Sequence, residues 1–267
     1  MNDAPVIVLT GASSGIGAVA AKQLAQRGAT LCLVARRAEE LDQVANDIRA
    51  AGGVAHSYPC DLSDSAAINA CATQILADHP RVDVLVNNAA HSIRRPILKA
   101  LDRLHDYERT IQLNYLGAVA MTLAFIPRFE AQRQGHVVNV STLSSQVPIP
   151  LFSAYLASKC ALESFSRSLN AELSYKGITT TVVHFPMVRT PMSSRTEIYK
   201  YMPMMSVDKA AKWLVKACEK RPARITRPGG ALGSILLAAL PGPATRLPQP
   251  FFRAMDHFLA NQLKKKG

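Results

Sequence analysis

Short apolar runs alternate with stretches of helical periodicity along the first two thirds of the chain. Val6-Ile7-Val8-Leu9, Thr30 to Ala35, Val54 to Pro59, Val82 to Val86, His136 to Ser141 and Ile178 to Phe185 read as strands. Their Val/Ile/Leu-rich composition suits strands buried on both faces of a parallel sheet. The intervening pattern predicts a helix running to about Arg27 and stopped by Gly28, and another from about Ala38 to Ala51, closed by Gly52-Gly53. A third starts near Ser65, capped by Asp61 or Ser63, and ends before Pro80; a helix pair covers about Asp102 to Arg133. Alternation of this kind predicts an α/β fold: a doubly wound parallel sheet of about seven strands with helices on both faces.

A chain of 267 residues, 48% of them apolar, can bury one large core. The pattern predicts one domain over residues 1–228 and a basic, amphipathic extension over 229–267. The net charge of +12 is concentrated at that end: residues 1–186 carry 16 Lys/Arg against 15 Asp/Glu, and residues 187–267 carry 15 against 4. Such a surplus attracts phosphorylated substrates or an anionic membrane surface; nucleic acid is not expected, because no recognition motif accompanies the charge. From Phe251 on, Phe252, Met255, Phe258, Leu259 and Leu263 follow helical spacing ahead of Lys264-Lys265-Lys266, a pattern that docks on the core or a sister subunit, covers a lipid pocket or makes peripheral contact with a membrane. Cys32, Cys60, Cys71, Cys160 and Cys218 show neither metal-ligand nor redox-pair spacing, so no metal is expected and they read as small core residues in a reducing compartment. A strand within the first residues leaves no room for a signal peptide, and no apolar run nears the roughly 20 residues that cross a bilayer. The expectation is a cytoplasmic protein.

The first strand runs into Thr10-Gly11-Ala12-Ser13-Ser14-Gly15-Ile16-Gly17. A glycine at the strand end permits a sharp turn, and further glycines let pyrophosphate approach the backbone at a helix N-terminus, where free N–H groups and the helix dipole favour an anion. Taken alone the glycines are equally an ordinary turn; the strand before and the helix after make it a Rossmann-like dinucleotide site. Gly11, Ser13, Ser14, Gly15, Ile16 and Gly17 are its candidate lining. Where an NAD site places an acid at the end of the second strand, this chain has Ala35 followed by Arg36-Arg37. Two guanidinium groups suit the additional phosphate of NADP(H); the alternative is a solvated pair opening a helix, and resemblance to NADP-preferring dehydrogenases, which carry the charge next to the missing acid, implies Arg36 as the stronger candidate. Asp61 and Leu62 stand where the adenine would lie.

Tyr155 and Lys159, four apart, share one face of a helix. A neighbouring ammonium stabilises a phenolate and moves the tyrosine pKa toward working pH. His91 and Arg94-Arg95 read more simply as structural and ion-paired, and Asn114 needs a partner if buried.

The order of these motifs, with Asn87-Asn88-Ala89-Ala90, is similar to that of the short-chain dehydrogenase/reductase superfamily over about residues 5–195. The resemblance implies that Tyr155 is the general acid, Lys159 its partner, Thr142 the substrate-binding hydroxyl in place of serine, and Asn114 the holder of a relay water. It adds Asn88, Ala89, Val188 and Thr190 to the cofactor site and implies a homodimer or homotetramer. Ala90 and Met187 depart from the usual glycines. Ser92-Ile93-Arg94-Arg95, the stretch from His105 to Tyr115, Phe152-Ser153-Ala154-Tyr155 and Val188-Arg189-Thr190-Pro191-Met192 with Ile198-Tyr199 resemble one subgroup, the bacterial long-chain fatty acyl-CoA reductases. NADPH-dependent reduction of a long-chain acyl-CoA to an aldehyde is therefore expected. The alternatives are a ketone or aldehyde reductase using the same residues, and a non-catalytic NADP(H)-binding regulatory protein.

Overall fold

The computed structural model describes residues 4–147, 149–194, 203–247, 249, 250 and 253. The apolar runs become β1 Val6–Thr10, β2 Thr30–Ala35, β3 Val54–Pro59, β4 Val84–Asn87, β5 Gly135–Thr142 and β6 Ile178–Phe185, joined by a short β7, Arg224–Ile225. All pair parallel in the order β3-β2-β1-β4-β5-β6-β7. The chain builds outward from β1 to β3 and then returns to place β4 on the other side of β1, flanked by β2 and β4. Connections after β1 and β4 thus diverge to opposite sides, which opens a crevice at the carboxyl edge of the sheet.

Side chains alternate between two buried layers. Ile7, Leu9, Leu31 and Leu33 enter one cluster with Ala20, Ala21, Leu24, Leu41 and Leu214; Val8, Cys32 and Val34 enter the other with Ile68, Ile75, Met121, Phe125 and Phe129. The first layer is covered by α1 Gly15–Ala25, α2 Ala38–Ala50 and, further along the chain, a helix over Val207–Lys220; the second by α3 Ser65–Asp78 and the helices that follow it. The two-residue period of a strand, apolar on both sides, is what feeds both layers at once.

The predicted helix pair is one continuous rod: α4 Leu104–Ile111, a π-helical segment Gln112–Gly117, and α5 Ala118–Gln132. It corrects a second expectation, since among the described residues Leu104–Gln132 is long and apolar enough, by length and composition, to cross a membrane. In this fold it is a layer helix, with Phe125 and Phe129 fully buried against the sheet. A third correction concerns α3. Its N-cap is Asp64, whose carboxylate accepts from Ala66 and Ala67 N–H, while Asp61 accepts from the Ser63 N–H and hydroxyl. Both acids sit before the helix; Asp64, extended and immediately preceding Ser65, is the one whose carboxylate reaches its first amides.

Beyond β5 come α6 Ser153–Leu173, a short α7 Pro191–Ser194, α8 Val207–Lys220, α9 Pro228–Ala239 and α10 Pro241–Arg246. Four of the cysteines are buried and Cys160 is exposed, so it is not a core residue. The apolar stripe from Phe251 to Leu263, Lys264-Lys265-Lys266 and Ile198-Tyr199 lie outside the described residues.

Candidate active site

The glycine turn is laced to β4. Thr10 Oγ1 donates to Val86 O (3.1 Å) and accepts from the N–H groups of Asn88 (2.9 Å) and Ala89 (3.1 Å), while Asn88 Nδ2 donates to Thr10 O (2.9 Å) and Gly11 O (3.3 Å). Two loops from opposite sides of the crevice are thereby fixed to each other. Gly11 has φ +67°, a conformation other residues adopt at a cost, and a Cβ there would stand 2.8 Å from Ala89 Cα. A Cβ on Gly17 would stand 2.3 Å from Gly11 O, a backbone atom with no room to yield. Gly17→Ala is expected to lose about 1–3 kcal/mol, roughly 2–12 °C in Tm for a domain of this size; an unchanged melting curve would show that the turn is not so tightly packed.

At the N-terminus of α1, Ser14 is extended and makes no side-chain cap, so the first amides remain for an anion. Arg37 reaches across to the turn, donating to Ser13 Oγ (3.3 Å), Ser14 Oγ (3.1 Å) and Glu40 Oε1 (2.8 Å). Arg36 has a side chain 76% exposed and lies 3.9 Å from Asp61. Hydrogen bonds from Ser63, then the Arg36 charge, hold the Asp61 carboxyl below its ordinary value despite some burial. Leu62 is buried and Ile16 packs partly on the core. On the other side Val188 bridges Met205, and Thr190 caps α7 through Ser193 with its methyl 3.6 Å from where a Gly15 Cβ would be. Neither Ala90 nor Met187 has a left-handed backbone, so the glycines missing from these positions are not required by this chain's geometry.

The acid-base residues meet at the carboxyl edge of β5. Thr142 ends the strand, and its hydroxyl accepts from Ser144 N–H (3.2 Å) and hydrogen-bonds the Tyr155 phenol. Tyr155 lies in the first turn of α6, with Lys159 one turn on. Lys159 is 1% exposed, donates to Val140 O (2.7 Å) and stands 6.0 Å from the centroid of the Tyr155 ring. Burial brings the Lys159 ammonium down to about 8, opposed by the charge of Glu163. Burial also pushes Tyr155 up to about 12, with the Thr142 bond pulling the other way. This reverses the shift expected from sequence, and the cause is geometric: Lys159 spends a hydrogen bond on the β5 carbonyl and faces the ring, so burial dominates both groups.

Asn114 lies in the π-helical segment, 1% exposed. Its Nδ2 donates to His91 O (2.8 Å) and Ser158 Oγ (3.0 Å), and its Oδ1 accepts from His91 N–H (2.7 Å). Ser158 Oγ lies 2.6 Å from Tyr155 O and donates to it. Asn114 thus ties the loop after β4 to the tyrosine-bearing helix, and π turns recur at functional sites because they release backbone groups from the regular ladder. Arg95, Arg103 and Arg109 converge on the buried carboxylate of Asp106 at 3.0, 3.0 and 3.3 Å, so Arg95 is committed to an ion-pair cluster. Sequence reasoning missed a second polar group behind Thr142: Glu163 with Ser141, Ser145 and His184. The available signal was Glu163 at four residues past Lys159, on the same helix face.

With this arrangement in place, the family assignment is direct: the short chain dehydrogenase model matches residues 5–199, and the chain belongs to that family of oxidoreductases. An uncharacterized oxidoreductase of Mycobacterium tuberculosis is 48% identical over 253 residues, 92% of this chain and 74% of that protein. The fatty acyl-CoA reductase of Acinetobacter baylyi is 46% identical over 236 residues, 88% of this chain and 80% of that protein. Among solved structures, a short-chain dehydrogenase from Sphingobium yanoikuyae in complex with NADPH has a TM-score of 0.78 at 29% identity, over 89% of this chain and 96% of that one. A 3-ketoacyl-(acyl-carrier-protein) reductase from Brucella melitensis complexed with NADH has a TM-score of 0.76 at 26% identity, over 85% of this chain and 95% of that one.

Proposed function

We propose that this protein is an NADPH-dependent reductase of long-chain acyl-CoA thioesters that releases a fatty aldehyde and free CoA. The observation that carries the substrate is the 46% identity to a fatty acyl-CoA reductase along 88% of the chain. The cofactor fits the cradle: the glycine turn opens onto the N-terminus of α1, where Ser14 makes no side-chain cap and the first amides are available to an anion, and Arg36 and Arg37 stand at the end of β2 where a ribose phosphate needs cations. NADPH, when bound, supplies the hydride.

The chain's own groups do the rest. When substrate binds, the neighbouring Thr142 and Tyr155 hydroxyls exchange their contact with each other for the carbonyl oxygen, and both donate to it as it gains charge, the interaction that grows most in the transition state. Tyr155 then gives its proton to that oxygen, and Lys159 keeps a positive charge beside the phenolate that results. The hemithioacetal so formed collapses: its C–S bond breaks as the hydroxyl proton passes to the departing sulfur, and aldehyde and CoA thiol leave. Asn114 holds the His91 backbone and α6 in register so that this geometry persists. The cations after residue 187 give counter-charge to the CoA phosphates.

Reduction of a ketone or aldehyde by the same residues is the second reading, favoured by the likeness to the 3-ketoacyl-(acyl-carrier-protein) reductase. The deciding measurement is NADPH oxidation with a long-chain acyl-CoA, beside ketones and aldehydes, with free thiol assayed in parallel. Thiol release matching oxidation is the expected result. Oxidation with carbonyl compounds alone, and no thiol, overturns the thioester reading and leaves the catalytic residues in place.

A further inference from the structure

We propose that Glu163 is a positioning residue for catalysis: a buried carboxylate that holds Lys159 protonated from one turn away and fastens the segment carrying Thr142. The inference rests on the carbonyl-reduction reading, whichever carbonyl is the substrate. Glu163 lies on α6 four residues past Lys159, with a side chain 15% exposed, and its Oε1 is a point of convergence. Ser145 Oγ lies 2.5 Å from it, His184 Nε2 lies 3.2 Å from it, and the Ser141 hydroxyl donates to it. Ser141 and Ser145 bracket Thr142 in sequence, and Ser145 Oγ is also 2.7 Å from Thr142 O. One carboxylate oxygen therefore gathers β5, the turn after it, α6 and β6 behind the reacting groups.

The charge state follows from these partners. Burial alone would raise the Glu163 carboxyl, but the bonds from His184, Ser141 and Ser145 outweigh it and keep the group below its ordinary value, hence ionised. A buried carboxylate is costly unless it is hydrogen-bonded and offset, and Ser141, Ser145 and His184 meet that condition here. The groups that face it are the Ser141 hydroxyl on β5, the Ser145 hydroxyl in the following turn, His184 on β6, and Lys159 and Cys160 on α6 itself. Arg167, one turn on, is exposed and makes no ion pair with Glu163 among the described residues. Lys159, buried and drawn down toward 8, is thus the cation that the Glu163 charge sustains. In the direction of carbonyl reduction the ammonium must persist while Tyr155 gives up its proton, so loss of the Glu163 charge moves the alkaline limb of activity to lower pH.

The test is Glu163→Gln, which keeps the size of the side chain and its acceptor oxygen. kcat is measured from pH 6 to pH 10 on whichever substrate the wild type reduces, so a negative thioester assay does not touch the outcome. The alkaline limb should move down by about 0.5–1 pH unit, giving a kcat loss of roughly three- to tenfold at high pH, little change at pH 6.5 and an unchanged KM for NADPH. A second readout needs no turnover: in protein labelled with [ε-13C]lysine, the resonance assigned by its absence in Lys159→Met should titrate at lower pH in Glu163→Gln. Glu163→Asp keeps the charge and should keep the limb. A kcat loss equal at every pH, or a Lys159 resonance that titrates as in the wild type, overturns the proposal.

Discussion

Tyr155→Phe should reduce kcat by about 10³-fold, within the 10²–10⁴ range that a general acid contributes, while NADPH affinity stays within about twofold of the wild type. The phenyl ring keeps the packing of the first turn of α6, including the edge contact with Phe152 at 6.4 Å between centroids. Only the hydroxyl that bonds Thr142 and protonates the carbonyl oxygen is lost. Turnover measured beside a fluorescence titration with NADPH separates the two effects. Retention of more than a tenth of the activity would remove Tyr155 from the proton transfer and assign that step to another group.

Replacing both Arg36 and Arg37 by alanine should cost NADPH affinity about 100-fold or more and NADH affinity only a few-fold. A charge-assisted hydrogen bond contributes about 1.5–3 kcal/mol, roughly tenfold or more for each guanidinium that meets the ribose phosphate. The single variants should differ. Arg36 is mostly exposed and, among the described residues, is engaged only by Asp61 at 3.9 Å, so it can turn to a phosphate; Arg37 already bonds Ser13 and Ser14 and so also shapes the glycine turn. Arg36→Ala should therefore act on NADPH selectively, whereas Arg37→Ala should carry a smaller additional loss with NADH. Dissociation constants for both nucleotides decide the matter, and equal losses from the double substitution would defeat the assignment of the 2′-phosphate to this pair.

Local patterns in the sequence were legible where the chemistry is local. The glycine turn is a run of adjacent residues, Tyr155 and Lys159 are one helical turn apart, and β2, β3 and β6 occupy the residues their apolar runs predict. β7 escaped because two residues, Arg224 and Ile225, are too few to show a period. Asp64 escaped because three acids and hydroxyls crowd the start of α3 and capping depends on backbone angles that composition does not encode. The pKa of Tyr155 was misjudged because proximity in sequence to a cation says nothing about where that cation's hydrogen bonds go; Val140 O takes one. The Glu163 group joins residues from β5, α6 and β6, and Asn114 is answered by His91 and Ser158, pairs that only the folded chain brings together.

The widened turn at Gln112–Gly117 sets the phase of the long rod it interrupts. A helix of constant pitch presents one drifting stripe to its surroundings, and the two ends of this rod have different obligations: Asp106 and Thr110 are buried near the arginine cluster, while Phe125 and Phe129 are buried under the sheet. Inserting an extra residue into a single turn shifts the angular register between those ends, as a stutter does in a coiled coil. The core end of the rod is thereby free to be selected for packing and the other for its ion-pair cluster, with Asn114 at the seam where the two phases meet.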